Sequence, residues 1–181
     1  LPARVAVQQL TVSSYIGSVL ETLGINYKVD ENFKETPRRV ATVLVEFLRP
    51  ESSIVGLVDR YAEAVFPSVQ DELVVVGDIR VAALCPHHLL PVLFRVAVGY
   101  LPKGFVIGLS KVPRLVKELA KVPFIQEDYT VKLNTFLVGL LRTADVGVVV
   151  EGRHLCMEIR GVEQNKVKVV TSKLSGVFLD Q

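Results

Sequence analysis

ELVVVGDIRVAALCPHHLLPVLFRVAVGYL, residues 72–101, decides the fold. On either side of Cys85-Pro86-His87-His88 lie two segments rich in β-branched residues and bounded by proline or glycine, which reads as two strands with a short connection between them. GFVIGLS, residues 104–110, adds a further strand-like piece, with LPKG (101–104) as the turn before it. The chain thus changes character near Asp71, because what precedes it is helical. VSSYIGSVLETLG (12–24) sets Ile16, Val19, Leu20 and Leu23 at helical spacing and ends on Gly24. ETPRRVATVLVEFLRP (35–50) offers Thr36 as N-cap, Pro37 at the first helical position and Pro50 as the stop. A further helical piece is expected between Glu51 and Gln70, ending near Pro67.

Beyond the strands, SKVPRLVKELAK (110–121) and QEDYTVKLNTFLVGLLRTA (126–144) read as a helix pair, the second with Leu133, Phe136, Leu137, Leu140 and Leu141 on one side. VGVVVEGRHLCMEIRGV (146–162) and KVKVVTS (166–172) are again strand-like. The reading is an α+β chain with an antiparallel sheet and a helix pair, residues 71–181, preceded by an N-terminal helical region, residues 1–70, within one structural domain.

Bulk properties narrow the function. At 181 residues with half of them hydrophobic and 22% charged, the chain can build a sizeable core. A net charge of +2 argues against general nucleic-acid binding, so an anionic ligand needs a local basic cluster. No apolar run reaches membrane length, no leader pattern is visible, and two cysteines suit a reducing compartment, so a cytoplasmic protein away from the membrane is expected.

Every thiol and imidazole falls in two short stretches, Cys85, His87 and His88 in one, His154 and Cys156 in the other. Cys85 and His88 form a C-x-x-H that can aim thiolate and imidazole at one zinc ion, and Cys156 would make three ligands. Three protein ligands leave a fourth position for water, whose pKa the metal brings toward about 7. His87 and His154 then stand free to move protons; if either ligated instead, the site would be closed and structural. Read as a strand, HLCMEIR puts His154, Cys156, Glu158 and Arg160 on one face and Leu155, Met157 and Ile159 on the core face. Ser110 can cap a helix on which Lys111 and Arg114 are neighbours, a place for phosphate; on spacing alone it reads as solvated basic surface with Lys117 and Lys121. Gln126 and Glu127 open the next helix, where acids suit the first turn and a carboxylate can also accept paired N–H donors from a purine edge.

In order and spacing, ETPRRVA, CPHHLLP, GLSKVPRLV, PFIQEDYT, HLCMEIRGV and VVTSKLSGVF together resemble GTP cyclohydrolase I. The resemblance implies the tunnelling (T-fold) architecture, a decamer with active sites at subunit interfaces, and GTP as substrate. It implies zinc held by Cys85, His88 and Cys156, with His87 and His154 as acid–base groups. Glu127 would anchor the guanine edge with Gln126 adjoining it, Ser110 would lie near the ribose, and Lys111, Arg114, Arg160 and Arg39 would contact the triphosphate. The product would be 7,8-dihydroneopterin triphosphate, with formate released from C8. Pro86 stands where the family usually has an acidic residue, and Asp128-Tyr129 where it usually has Arg-Leu. Other readings of these segments are a T-fold relative that reduces a deazaguanine nitrile without zinc, and a non-catalytic protein whose zinc braces an oligomer.

Overall fold

The computed structural model describes residues 3–179. The chain divides after Arg49 into two compact units.

In the first unit, helix α1 (Ala3–Thr22) packs against helix α2 (Thr36–Phe47). Gly24, at φ 77°, lets the chain turn away from α1 in a conformation that costs other residues strain. Thr36 does not cap α2. The preceding turn is already helical, with the Thr36 N–H bonded to Phe33 O, so Glu35 takes the cap position and Thr36 starts the helix with Pro37 in its first turn.

The second unit is built on an antiparallel four-stranded sheet, β2 (Val74–Leu84), β3 (Pro91–Tyr100), β5 (Val146–His154) and β6 (Val169–Leu174), in the spatial order β2-β3-β5-β6. β1 (Val65–Pro67) and β4 (Phe105–Ile107) form a separate antiparallel pair. Residues 51–67, expected to be helical, hold a 3-10 turn at Glu51–Ile54, a short helix α3 (Leu57–Ala62) and then β1. Two breaks account for this: Val55 is extended and Gly56 left-handed at φ 69°.

One face of the sheet is covered by α4 (Lys111–Leu119), over β2, and α5 (Gln126–Leu141), over β5 and β6. The period of two places Val92, Phe94, Val96, Val98 and Tyr100 of β3 with Val146, Val148 and Val150 of β5 beneath the helices, all buried. From α5 come Tyr129, Leu133, Leu137, Leu140 and Leu141. Leu93, Arg95, Val149 and Arg153 face outward.

HLCMEIR is not one strand. β5 ends at His154, and Leu155–Glu158 form a single helical turn, α6, closed by Ile159 N–H to Leu155 O. Arg153 donates from Nε and a terminal nitrogen to both oxygens of Glu158, at 2.6 and 2.7 Å, a fork that favours this turn over continued extension. The expected alternation is therefore lost, and Ile159, predicted to be core, is 63% exposed.

Candidate active site

The β2–β3 connection is a tight loop. The Cys85 N–H bonds Leu90 O at 2.9 Å, the Leu89 N–H bonds Cys85 O at 2.8 Å, and Leu89 is left-handed at φ 53°. Pro86 suits its first inner position, since its fixed φ is already turn-like. The helical sense of Pro86–His88 brings Cys85 and His88, three apart, to one side. The register Val92↔His154 sets the end of β5 beside this loop, and α6 carries Cys156 toward it.

Sγ of Cys85, a ring nitrogen of His88 and Sγ of Cys156 all lie within 4.8 Å of one another. Cys85 Sγ is 3.8 Å from His88 Nδ1. On tetrahedral zinc, with sulfur at about 2.3 Å and nitrogen at about 2.05 Å, those two atoms stand about 3.6 Å apart. Both cysteines are free thiols. Donor chemistry and spacing thus fit a soft divalent ion. Burial, and after it the adjoining Cys85 thiol, pushes the Cys156 thiol up, while Arg160 opposes that shift.

A cavity of about 290 Å³ opens over this cluster, lined among others by His87, Glu127, His154 and Phe94. His87 is exposed, with Nδ1 3.9 Å from Cys85 Sγ. His154 is half-buried, on the helix-facing side of β5, and burial lowers its pKa against the opposing charge of Glu127. Its Nε2 is 2.8 Å from Gln126 Oε1. The Gln126 Nε2 faces Val150 O and Val169 O at 3.0 Å each and Thr171 Oγ1 at 3.2 Å. Gln126 is 3% exposed, so its amide is committed inside the protein, whereas Glu127 beside it is exposed at the cavity.

The expected anion contacts come from three segments of the chain, at α4, after α6 and on α2. Ser110 occupies the cap position of α4 without a side-chain cap bond, because its backbone is helical and not extended. Lys111 and Arg114 lie on α4, Arg114 exposed and close enough for its charge to act on the Tyr61 phenol. Arg160 is exposed after α6. Arg39 is exposed on α2, in the N-terminal unit.

Residue patterning alone misses the buried polar stripe on α5. Gln126, Thr130 and Asn134 recur every four residues and turn toward β5 and β6, where Asn134 donates to Val146 O and Lys173 O. Thr130 Oγ1 lies 2.6 Å from Thr171 Oγ1 and donates to Gln126 O at 2.8 Å. The i, i+4, i+8 recurrence of amides and a hydroxyl within a leucine-rich helix is the signal that would have exposed it.

An α+β chain that gathers three soft donors, two further imidazoles and a carboxylate around one cavity belongs to the class of small-molecule enzymes. Comparison with known proteins narrows the class. Residues 12–181 match the family model described as GTP cyclohydrolase I. The chain is 36% identical over 177 residues to GTP cyclohydrolase 1 of Haemophilus ducreyi, covering 93% of this chain and 77% of the relative. It is 38% identical over 161 residues to GTP cyclohydrolase 1 of Homo sapiens, covering 89% and 63%. With the Campylobacter jejuni protein of the same name the identity is 39% over 164 residues, covering 91% and 85%. A crystal structure of the archaeosine synthase QueF-Like in the apo form is 22% identical, with a TM-score of 0.44 over 55% of this chain and 91% of that one. The chain belongs to the GTP cyclohydrolase I family.

Proposed function

We propose that this chain hydrolyses GTP to 7,8-dihydroneopterin triphosphate and formate, with zinc held by Cys85, His88 and Cys156. The observation that carries the reading is the convergence of those three ligand atoms within 4.8 Å, beside a cavity that His87, His154 and Glu127 also line. When bound, zinc would supply Lewis-acid activation of water for the hydrolytic steps. Glu127, exposed at the head of α5, accepts N–H donors of the guanine edge and holds C8 toward the donor cluster. His154, once its ring has taken up a second proton, passes that proton to N7, so that the imidazole ring of the base accepts the incoming water at C8 and the C8–N9 bond breaks. His87 moves protons on the exposed side of the cavity as a second water releases C8 from N7 as formate. The opened ribose rearranges and closes on the pyrimidine amines with loss of water, which leaves a net uptake of one water. Ser110 adjoins the ribose in this reading. Lys111, Arg114, Arg160 and Arg39 offset the triphosphate, which the overall charge of +2 would not attract alone.

The assembly in this reading is a decamer of T-fold subunits with active sites at subunit interfaces. Its support is that β2 and β6 each have one edge unpaired among the described residues, and that Val75, Leu93, Val149 and Val170 are exposed on the sheet. A cytoplasmic location is supported by the two free thiols. Among the described residues no helix is long and apolar enough to cross a membrane.

The test is incubation of zinc-loaded protein with GTP. One formate per GTP consumed is expected, together with a product that oxidises to a fluorescent pterin. Zinc-loaded protein that leaves GTP intact would overturn the reading.

A further inference from the structure

We infer that Gln126, seated by Gly152, is a positioning residue that fixes the His154 ring with its hydrogen on Nε2, which leaves Nδ1 as the ring atom that exchanges a proton with substrate. The inference rests on the proposed function only in taking His154 as the proton-transfer group. The polarity of the contact follows from the far end of the amide. The Val150 and Val169 carbonyl oxygens can only accept, so the group 3.0 Å from both must be the amide nitrogen. The oxygen of Gln126 therefore faces His154, and at 2.8 Å the ring nitrogen there must donate. A neutral imidazole carries one hydrogen, so Nδ1 is bare.

The hydroxyls complete a directed chain. Thr130 donates to the Gln126 backbone carbonyl and Thr171 to Thr130 Oγ1, while the two hydrogens of the Gln126 amide are shared among Val150 O, Val169 O and Thr171 Oγ1. The amide is thus held from β5 and β6 together and has no second orientation that keeps these bonds.

Gly152 supplies the space. A Cβ there would overlap Gln126 Oε1 and stand 2.9 Å from its Cδ and 3.1 Å from His154 Nε2. Gly152 pairs with Phe94 on one side and Val169 on the other, so the strand has no slack to move aside. The Phe94 ring stands edge-on to that of His154, centroids 6.4 Å apart, and limits the ring's rotation.

The experiment is solid-state NMR of sedimented, zinc-loaded protein labelled with ¹⁵N-histidine, at about two pH units above the ordinary imidazole value of about 6.5. The chain has three histidines, and His154→Gln identifies the signal of interest. A protonated Nε2 and a bare Nδ1 on His154 are expected. Gln126→Met should release the lock, giving mixed tautomers and lowering kcat on the order of tenfold or more, a part of the 10²–10⁴ that acid–base catalysis contributes, with KM for GTP changed less than about twofold. Gln126→Glu keeps an acceptor toward the ring when its buried carboxyl is protonated on the oxygen that faces the Val150 and Val169 carbonyls, so it should retain the protonated Nε2 in the spectrum and more of kcat than Gln126→Met, which a packing role would not predict. Gly152→Ala should reproduce the Gln126→Met spectrum with the amide still present. A bare Nε2 in the unsubstituted protein, or full kcat in Gln126→Met, would overturn the inference. Absence of GTP turnover in the unsubstituted protein would count against the proposed function alone, because the tautomer is read without turnover.

Discussion

Replacing Tyr129 by phenylalanine deletes one hydroxyl from the centre of the helix–sheet interface. The side chain is 1% exposed, its hydroxyl donates to Val116 O at 2.9 Å, and burial pushes the phenol far above its ordinary range, so it remains a donor at any working pH. The cost depends on what the carbonyl keeps. Val116 O also accepts the Ala120 N–H, at 3.2 Å, so it is not stranded when the hydroxyl goes. The loss should therefore be that of one ordinary hydrogen bond, about 1 kcal/mol, and not the roughly 3 kcal/mol of a buried orphan. For a chain of this size that is about 2–4 °C in Tm. The assay is urea unfolding at fixed protomer concentration, with the midpoint moving and the slope unchanged. Tyr129→Leu tests the ring itself, which stacks on Phe94 with centroids 5.0 Å apart. It should cost a further 0.5–1.5 kcal/mol or so beyond the change in buried area. Because Phe94 abuts His154, Tyr129→Leu should also slow GTP turnover several-fold while Tyr129→Phe does not. A loss near 3 kcal/mol in Tyr129→Phe would refute the two-donor account of Val116 O.

Asp145 ties the C-terminal turn to the unit through Lys103 at 2.8 Å and the Val177 N–H at 3.0 Å, and those partners hold its carboxyl below the ordinary 3.8. Its contribution is fully present above that ordinary value and is lost as pH falls through the lower folded value. Melting curves of the protein and of Asp145→Asn should differ by a constant gap from pH 7 to about 5 and converge in stronger acid; a gap that widens there contradicts the assignment. For the donor cluster, Cys156→Ala should lose both zinc and turnover, whereas His154→Ala should retain zinc, by metal analysis after dialysis, and lose turnover. Equal zinc loss in both would mean that His154 is a ligand.

The strands were legible in residues 72–101 because β-branched alternation is a period-2 signal that a half-buried sheet demands. The end of β5 was not, since HLCMEIR continues the alternation past the point where the chain turns. What stops the strand is a fork between Arg153 and Glu158, five residues apart, to which neither period is sensitive. Residues 51–67 failed for another reason. Their apolar residues serve three short elements, and a six-residue helix has too few turns to show a stripe. The soft donors were legible from their scarcity alone. Gln126 was marked from the sequence only as a neighbour of the substrate-binding candidate Glu127, and its hydrogen bond to His154 depends on carbonyls of two distant strands, which appear only once α5 is laid across them.

The placement of His154 is set by residues with no chemistry of their own. In a strand, a slip of one residue turns every side chain to the opposite face. β5 holds Val146, Val148 and Val150 fully buried, each worth about 1.5–3 kcal/mol against exposure. Slipped by one, β5 would drive Glu151 and Arg153 under the helices, at several kcal/mol per unpaired ion. Both terms oppose the slip, so the valines hold the pairing Val92↔His154. That pairing sets His154 and, two residues further on in α6, Cys156 beside the loop that carries Cys85 and His88. The same parity puts Gly152 where Gln126 needs room. The apolar pattern of one strand thus aims the histidine, admits the amide that orients it and delivers the third sulfur or nitrogen donor to the cluster.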